Sequence, residues 1–490
     1  MSYVLTLLSG IMTGLSMPGN LFSFMIWGSL VFYLKAMASS QKTLQRFLHT
    51  FIFSFSMLFT TFWWEIPVLS KNIPQVLGKY PAILGFFGFL GMILLMSLPY
   101  FLIWLFSELY HRKSRRFNYW SLVLFYSFSY TAAEALREFG DLAFTGGALG
   151  YALYDHTGLL QIASVFGYLG LTFLIVFVNS LIAFEKPKEA LTKMLFIICA
   201  VYGLNFAIER FVTMPEHTQS IKVDAIQMNV PQEVKYGSNS WTNYFMFQDL
   251  IKSSADSDSD VIVLPESAFM SDINDSEIAT ALSADIAFTK KDVIMGYPRM
   301  TPDKDYNTVW HYDSSGSIKE YYDKVKLTPF AEFLPYEVIF GKAQVFKLLR
   351  FYTAGDTYSV FDINGRKIGA QICFETYFPE VSMNQSINGA QALIVITNDG
   401  WFGTHTALMQ HFSQIVFRAV ENRKEVLQVA NTGLTGKVDS YGRIIKTLKT
   451  SQVNKVQFEL NLNEKKTFFQ SFALLLKILL FIVCLVLAIV

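Results

Sequence analysis

The apolar residues of this 490-residue chain crowd into two stretches, Met1 to Phe211 and Phe468 to Val490, with a mixed segment between them. That uneven distribution constrains the fold more tightly than any motif. Runs approaching ~20 apolar residues are long enough to cross a bilayer as helices, and a chain that repeats them cannot hide them all in one soluble core. Hydrophobic residues make up 52% and aromatics 16% of the sequence, the composition of a membrane protein. The net charge of +1 leaves no basic footprint for nucleic acid. The expected organisation is a helical membrane part at residues 1–212, a soluble α/β part at 216–462 and a C-terminal span at 466–490.

Seven candidate spans precede the soluble segment, at residues 3–15, 21–37, 48–64, 84–106, 119–136, 159–184 and 194–211, and an eighth follows at 468–490. The first two are marginal in length and are expected to form a tight hairpin around Pro18-Gly19-Asn20. The first run lacks a basic flank and is followed by further spans, so no cleaved signal peptide is expected. With the N-terminus inside, the inner loops carry Lys35, Lys42, Arg46, Arg112, Lys113, Arg115, Arg116, Lys186, Lys188 and Lys193. The outer loops carry Lys71, Lys79 and Arg137, a ratio of ten to three in the direction of the positive-inside rule. Seven spans then put the segment from about Glu216 to Leu460 outside the cytoplasm.

Within that segment short β-prone runs alternate with helical ones. Strands are expected at 222–227, 261–264, 293–297, 308–312, 368–372, 392–397, 426–430 and 455–460, and helices at 241–254 and 407–422. Several of the strands are unbroken Val/Ile/Leu runs, as strands covered on both faces are. Turn signals at Ser315-Gly316, Asn364-Gly365 and Tyr441-Gly442 add hairpins. Together these read as an α/β sandwich with mixed strand directions.

Of three cysteines, Cys199 and Cys484 lie in apolar runs, so Cys373 stands alone in the soluble segment and cannot form a disulfide there. It lies where the strand Gly369-Ala370-Gln371-Ile372 hands over to a polar, helix-bound stretch, a position suited to an exposed thiolate near backbone N–H groups. A buried structural cysteine is the alternative. Glu266 follows the run Val261-Ile-Val-Leu-Pro265, and Lys324 lies in Tyr322-Asp323-Lys324-Val325. A carboxylate, an ammonium and a thiol form a coherent set. The first can take the thiol proton, and the second can lower the thiol pKa and stabilise an oxyanion. Taken singly, Glu266 and Lys324 read more readily as solvated loop charges.

The ordered blocks Leu264-Pro265-Glu266-Ser267, Tyr322-x-Lys324-x-x-Leu327-x-Pro329-Phe330-x-Glu332, Cys373-x-Glu375 and Thr397-Asn398-Asp399-Gly400-Trp401-Phe402-Gly403 resemble the nitrilase (carbon–nitrogen hydrolase) superfamily. With seven spans before and one after, the chain resembles the bacterial apolipoprotein N-acyltransferase family. Glu134, Arg137, Phe144-Thr145-Gly146 and Gly150-Tyr151 resemble that family's membrane half. The resemblance implies about eight transmembrane helices carrying an extracytoplasmic αββα sandwich in the bacterial inner membrane. It implies Glu266 as base, Lys324 as oxyanion stabiliser and Cys373 as nucleophile. Glu332, Phe374 (through its N–H), Glu375, Trp401 and Tyr236 would support them. Cys373 would take an acyl chain from a phospholipid, phosphatidylethanolamine being the usual donor, and pass it to the N-terminal amine of a diacylglyceryl-cysteine lipoprotein. No cofactor is implied. The chain departs from the family at Phe374 (usually Tyr), at Tyr236 (usually Trp) and at Gly147-Ala148 (usually Pro-Trp).

Other features have two readings. Glu134 and Arg137 could floor a lipid-headgroup site or form a packing ion pair. The apolar stretch 335–351 could be a lid that dips into lipid or a packed helix cap. Asp256-Ser-Asp-Ser-Asp260 lacks the glycine and terminal Glu of a calcium loop and is expected to be solvated surface. His405 and His411 match no metal spacing, and no metal is expected. Two rivals to acyl transfer are a membrane-tethered amidase or nitrilase and a catalytically inactive lipid- or lipoprotein-binding protein.

Overall fold

The computed structural model describes residues 1–20, 22–77, 81–112, 118–211, 219–237, 240–274, 276–340 and 351–489. The soluble segment forms two six-stranded sheets, the two β layers of a sandwich. The first is built from β1 (Ser220–Gln227), β2 (Val261–Val263), β3 (Asp292–Met300), β4 (Asp305–Tyr312) and β5 (Ile318–Asp323). The second holds β6 (Val360–Ile363), β7 (Arg366–Ile372), β8 (Ala392–Thr397), β9 (Val426–Ala430), β10 (Gly436–Val438) and β11 (Ile444–Thr447). The last strand, β12 (Asn454–Asn461), returns to the first sheet beside β1, giving orders β12-β1-β2-β3-β4-β5 and β11-β10-β9-β8-β7-β6. Each sheet has a parallel centre, β1-β2-β3 and β7-β8-β9, with antiparallel flanks. All eight expected strands form. The four additional ones, β5, β6, β10 and β11, adjoin the turns at Ser315-Gly316, Asn364-Gly365 and Tyr441-Gly442.

Side chains alternate along these strands as the pleat requires. Val223, Val263, Ile294, Ile372, Ile394, Ile396 and Val429 fill the space between the sheets. On the outer face of the first sheet, Tyr244, Phe247 and Ile251 of the helix Ser240–Lys252 and Leu282 and Ile286 of Glu277–Thr289 pack on Val293 and Met295. The outer face of the second sheet is treated differently. Leu393 and Val395 of β8 meet the helix His405–Asn422, and that helix belongs to the same continuous apolar core as the helices of the membrane half. Its side chain-capped start at Thr404 and left-handed stop at Arg423 (φ 52°) bound a helix buried on nearly every face.

Among the described residues, four helices are long and apolar enough to cross a membrane: Ala82–Arg112, Ala163–Ala183, Glu189–Phe211 and Phe468–Ile489. Thr43–Thr61 and Glu65–Val76 would make a fifth, bent by 71°. Tyr119–Leu136 forms at the expected residues, but Ser121, Ser127, Ser129, Thr131 and Glu134 lower its apolarity; all but Ser121 of these are buried against protein. Ser2–Leu15 and Val31–Ser39, with 14 and 9 residues, are too short to span alone. Ser2–Leu15 packs tightly on Thr43–Thr61 through Gly10-x-x-x-Gly14, where added Cβ atoms would fall 2.0 Å from Ser56 Oγ and 2.6 Å from Thr60 Cβ.

Polar contacts lock the two halves together. The helix Ala163–Ala183 breaks at Gly167 (φ 64°), and the freed N–H of Tyr168 donates to the Glu421 carboxylate at 3.1 Å. Glu421 is itself paired with Arg418 at 2.9 Å. Trp64 Nε1 donates to Gln410 Oε1 at 3.0 Å, and Gln410 Nε2 to the Thr61 carbonyl at 3.0 Å.

Glu134 and Arg137 are buried and committed to packing. Glu134 accepts from Leu149 N at 2.9 Å, Thr172 Oγ1 at 2.5 Å and Tyr100 Oη at 3.4 Å. Arg137 donates to Tyr100 Oη at 3.0 Å and to the Gly146 carbonyl. These bonds fix the loop that carries Phe144 and Thr145 and leave no open floor for a headgroup. Arg137→Ala should therefore deprive Tyr100 Oη and the Gly146 carbonyl of a buried donor and cost about 1–3 kcal/mol, read as a lower melting temperature of the detergent-solubilised protein. Arg137→Lys, lacking the planar fork, should recover little of it.

Candidate active site

Three strand ends converge. Glu266 lies three residues beyond β2, Lys324 directly follows β5, and Cys373 directly follows β7 in the other sheet. Lys324 is held at both levels: its N–H donates to the Asn307 carbonyl at 2.8 Å, and its Nζ pairs with Glu332 Oε2 at 2.8 Å. Glu332 Oε2 also accepts from Thr328 N at 2.7 Å, within a turn that brings the carboxylate back over Lys324. Asn307 on β4 joins the two acids, donating from Nδ2 to Glu266 Oε1 and to Glu332 Oε1, each at 2.8 Å. The second oxygen of Glu266 accepts from Asn398 N at 3.0 Å. Glu266 and Lys324 are both buried, which excludes the reading of solvated loop charges.

Cys373 occupies left-handed backbone, φ 47°, at the first residue of the helical turn Cys373–Tyr377. Such a conformation strains an L-residue and is held only by its surroundings. Glu375 supplies much of the hold. Its Oε1 accepts from Tyr322 Oη (2.6 Å), Val325 N (2.8 Å) and Lys326 N (3.2 Å), and its Oε2 from Ile372 N (2.9 Å). It therefore ties the Lys324 segment to the Cys373 turn across the two sheets. Phe374 stacks on Phe144 of the membrane half, with centroids 5.4 Å apart and planes 12° apart, and Thr145 Oγ1 donates to the Tyr377 carbonyl.

Trp401 and Tyr236 stand together at the rim, ring centroids 5.4 Å apart, with the Trp401 carbonyl accepting from Asn72 Nδ2 at 2.9 Å. Of the stretch 335–351, Glu337–Phe340 forms one short helix, Tyr336 N donates to Asp141 Oδ2 at 3.1 Å, and residues 341–350 lie outside the described residues. In the 256–260 loop, Asp258 pairs with Lys222, and Asp260 accepts from Lys222 N at 2.8 Å and from Arg366 at 2.9 Å.

Four neighbours of the site carry no role that the sequence assigns. Asn307 is a buried polar residue in a strand otherwise read as core. Lys235, buried, donates to the Glu266 carbonyl at 3.2 Å. Asp399 and His411 lie beside the thiol: one carboxylate oxygen, one ring nitrogen and Sγ of Cys373 fall within 4.8 Å of one another. Such donors suit a transition metal, but both ring nitrogens already have partners, Asp399 Oδ1 at 2.8 Å and the Cys373 carbonyl at 3.1 Å. The trio is a hydrogen-bonded chain. Histidine spacing along the sequence could not reveal it, because its other members come from separate loops.

The apolipoprotein N-acyltransferase N-terminal domain family matches residues 9–181, and the carbon-nitrogen hydrolase family matches residues 222–454. A Thermotoga maritima protein named apolipoprotein N-acyltransferase is 38% identical over 96% of this chain and 89% of its own length. One of the same name from Geobacter metallireducens is 28% identical over 96% of this chain and 91% of its own. The chain belongs to the apolipoprotein N-acyltransferase family. Among solved structures, Saccharomyces cerevisiae Nit3, a nitrilase-superfamily member, aligns with 51% of this chain and 93% of its own at 20% identity and a TM-score of 0.39.

The electrostatics correct one expectation for the family's cysteine. Burial pushes the Cys373 thiol well above its ordinary range, the Glu266 and Asp399 carboxylates add to this, and the opposing pull of Lys324 does not compensate. These surroundings favour the protonated thiol over a preformed thiolate. Burial likewise raises the Glu266 carboxyl, against the pull of Lys324, bringing it nearer the working range of a general base. Burial also lowers Lys235 to about 7, with Glu266 opposing. For Lys324 burial acts downward, yet Glu332 and Glu266 outweigh it and keep the ammonium charged. Burial raises Glu332, but Lys324, Thr328 N and Asn307 hold it below the usual carboxylate range.

A depressed folded pKa contributes stability above the unfolded value, about 4.3 for Glu, and loses it as pH falls through the folded value. Glu332→Gln should thus be destabilised by roughly 3 kcal/mol at neutral pH, through loss of the Lys324 partner. In thermal melts across pH, the gap to the parent protein should close on acidification below that carboxylate range.

Proposed function

We propose that the protein transfers a fatty acyl chain from a phospholipid to the N-terminal amine of a diacylglyceryl-cysteine lipoprotein, in two steps through a thioester on Cys373. In the first step Glu266 takes the thiol proton as sulfur attacks the acyl carbonyl. The oxyanion is met by Lys324 Nζ and the Phe374 N–H. Collapse breaks the acyl–oxygen bond, Glu266 returns the proton to the leaving glycerol oxygen, and lysophospholipid departs. In the second step the lipoprotein amine attacks the thioester, Glu266 accepts its proton, and the thiol is restored. Such a sequence gives ping-pong kinetics.

The observation that carries this reading is the meeting of Glu266, Lys324 and Cys373 on a sandwich whose second helical layer shares one apolar core with the membrane half. Lys324 reinforced by Glu332 keeps a full positive charge where negative charge develops, in a site dry enough for that charge to count. Contact of Phe374 with Phe144 brings the Cys373–Tyr377 turn against the membrane half, a neighbourhood suited to an acyl chain. An amidase of the same fold has no use for that junction, and a pure binder has no use for a polarised base, ammonium and thiol together.

We further propose eight membrane crossings, with the short first pair as a hairpin. Residues 1–212, 216–462 and 466–490 are then the three parts, and the sandwich stands on the outer face of the inner membrane. Donor and acceptor would share the outer leaflet, and phosphatidylethanolamine is the proposed donor. Glu375 and Glu332 support the site through the bonds above, and Trp401 and Tyr236 form its aromatic rim.

Incubation with phospholipid followed by mass spectrometry should reveal an acyl mass on Cys373 that hydroxylamine removes. Cys373→Ala and Cys373→Ser should carry none and transfer none, and persisting transfer in either would remove Cys373 as nucleophile. Lys324→Ala should remain folded yet form thioester at least ~10²-fold more slowly, the scale of losing one oxyanion donor.

A further inference from the structure

His411 is a buried histidine that the two-step chemistry above does not use. Its Nδ1 lies 2.8 Å from Asp399 Oδ1, and its Nε2 lies 3.1 Å from the main-chain oxygen of Cys373. The main-chain oxygen of Cys373 can only accept, so Nε2 donates to it, and a carboxylate at Nδ1 makes both ring nitrogens donors, the arrangement of an imidazolium. Asp399 is fixed in turn. Its Oδ1 also accepts from Thr397 Oγ1 at 2.8 Å, and a Cβ at Gly433 would fall 2.3 Å from its Oδ2. The ring stacks on Tyr377 at 5.7 Å and 20° and meets the edge of Phe402 at 6.2 Å.

We propose that His411, held by Asp399, is a positioning residue for acyl transfer: it donates to the Cys373 carbonyl and so sets and polarises the Cys373–Phe374 peptide, whose N–H meets the developing oxyanion. The inference rests on the proposed role of Cys373. The same carbonyl accepts from Thr376 Oγ1 at 3.0 Å, so two donors converge on it. Charge drawn onto a carbonyl oxygen makes the N–H of the same peptide a stronger donor, an effect enlarged when one of the donors is cationic. The clamp also offsets the strain of the left-handed Cys373 backbone. The charged and titratable groups facing the ring are Asp399, Glu266, Cys373 and Tyr377. Burial alone would lower the imidazolium pKa, but Asp399, the Cys373 carbonyl and Glu266 raise it above the ordinary histidine value.

The test is the rate of acyl-enzyme formation on full-length protein in phospholipid micelles, followed by quenched-flow mass spectrometry as a function of pH. In the parent protein the rate should fall on the alkaline side as the imidazolium loses its proton. His411→Gln keeps one N–H donor without the charge. It should acylate about tenfold more slowly at neutral pH, less than the full loss of an oxyanion donor. Its alkaline limb should vanish, its KM for phospholipid should stay within about twofold, and its melting temperature should be near that of the parent. Asp399→Asn, isosteric and uncharged, should move the alkaline limb to lower pH, and it reads the same property if the glutamine variant does not fold. Parental rate and parental pH profile in His411→Gln would overturn the proposal, as would an alkaline limb unmoved in Asp399→Asn. Absence of any acyl adduct on Cys373 in the parent protein would instead overturn the nucleophile assignment.

Discussion

The structure depends on the burial of the helix His405–Asn422 between β8 and the helices of the membrane half, where it belongs to both at once. An ordinary amphipathic helix on an αββα sandwich turns a polar face to water. This one has none to turn: Leu408, Phe412, Ile415, Val416, Ala419 and Val420 are buried, and its polar residues Gln410, His411, Arg418 and Glu421 all find partners in surrounding elements. The catalytic sandwich cannot separate from the apolar helices without exposing that core. The site therefore stays at a fixed place relative to the apolar helices.

The same burial sets the chemistry. A thiol in a dry site resists ionisation, a carboxyl there becomes a better base, and an ammonium survives only where carboxylates surround it. Burial raises Cys373 and Glu266, whereas at Lys324 the Glu332 and Glu266 carboxylates overcome it. Asn307 lets Glu266 and Glu332 share a neighbourhood by giving a proton to each. Glu375, which gathers four donors from two sheets, acts as a structural pin.

Much of this was legible in the chain. The division into apolar and mixed segments, the eight expected strands and the ordered blocks holding Glu266, Lys324 and Cys373 rest on local pattern, and local pattern survives folding. The strands β5, β6, β10 and β11 were signalled only by their turns, because short or polar segments carry little apolar periodicity. The crossings were harder still. Tyr119–Leu136 is polar enough to fail as a lipid-facing helix because its neighbours are protein, and hydropathy along one segment is blind to what stands beside it.

By itself, the sequence determined which residues are apolar, where strands end and which reactive groups follow them, since these depend on neighbours a few positions away. Only the tertiary structure decided that Glu134 and Arg137 serve packing, that the thiol is raised rather than lowered, and that His411 reaches the Cys373 carbonyl. Those outcomes depend on burial and on contacts between residues tens to hundreds of positions apart, and no local pattern encodes the dielectric or the partner that a side chain meets once the chain has closed.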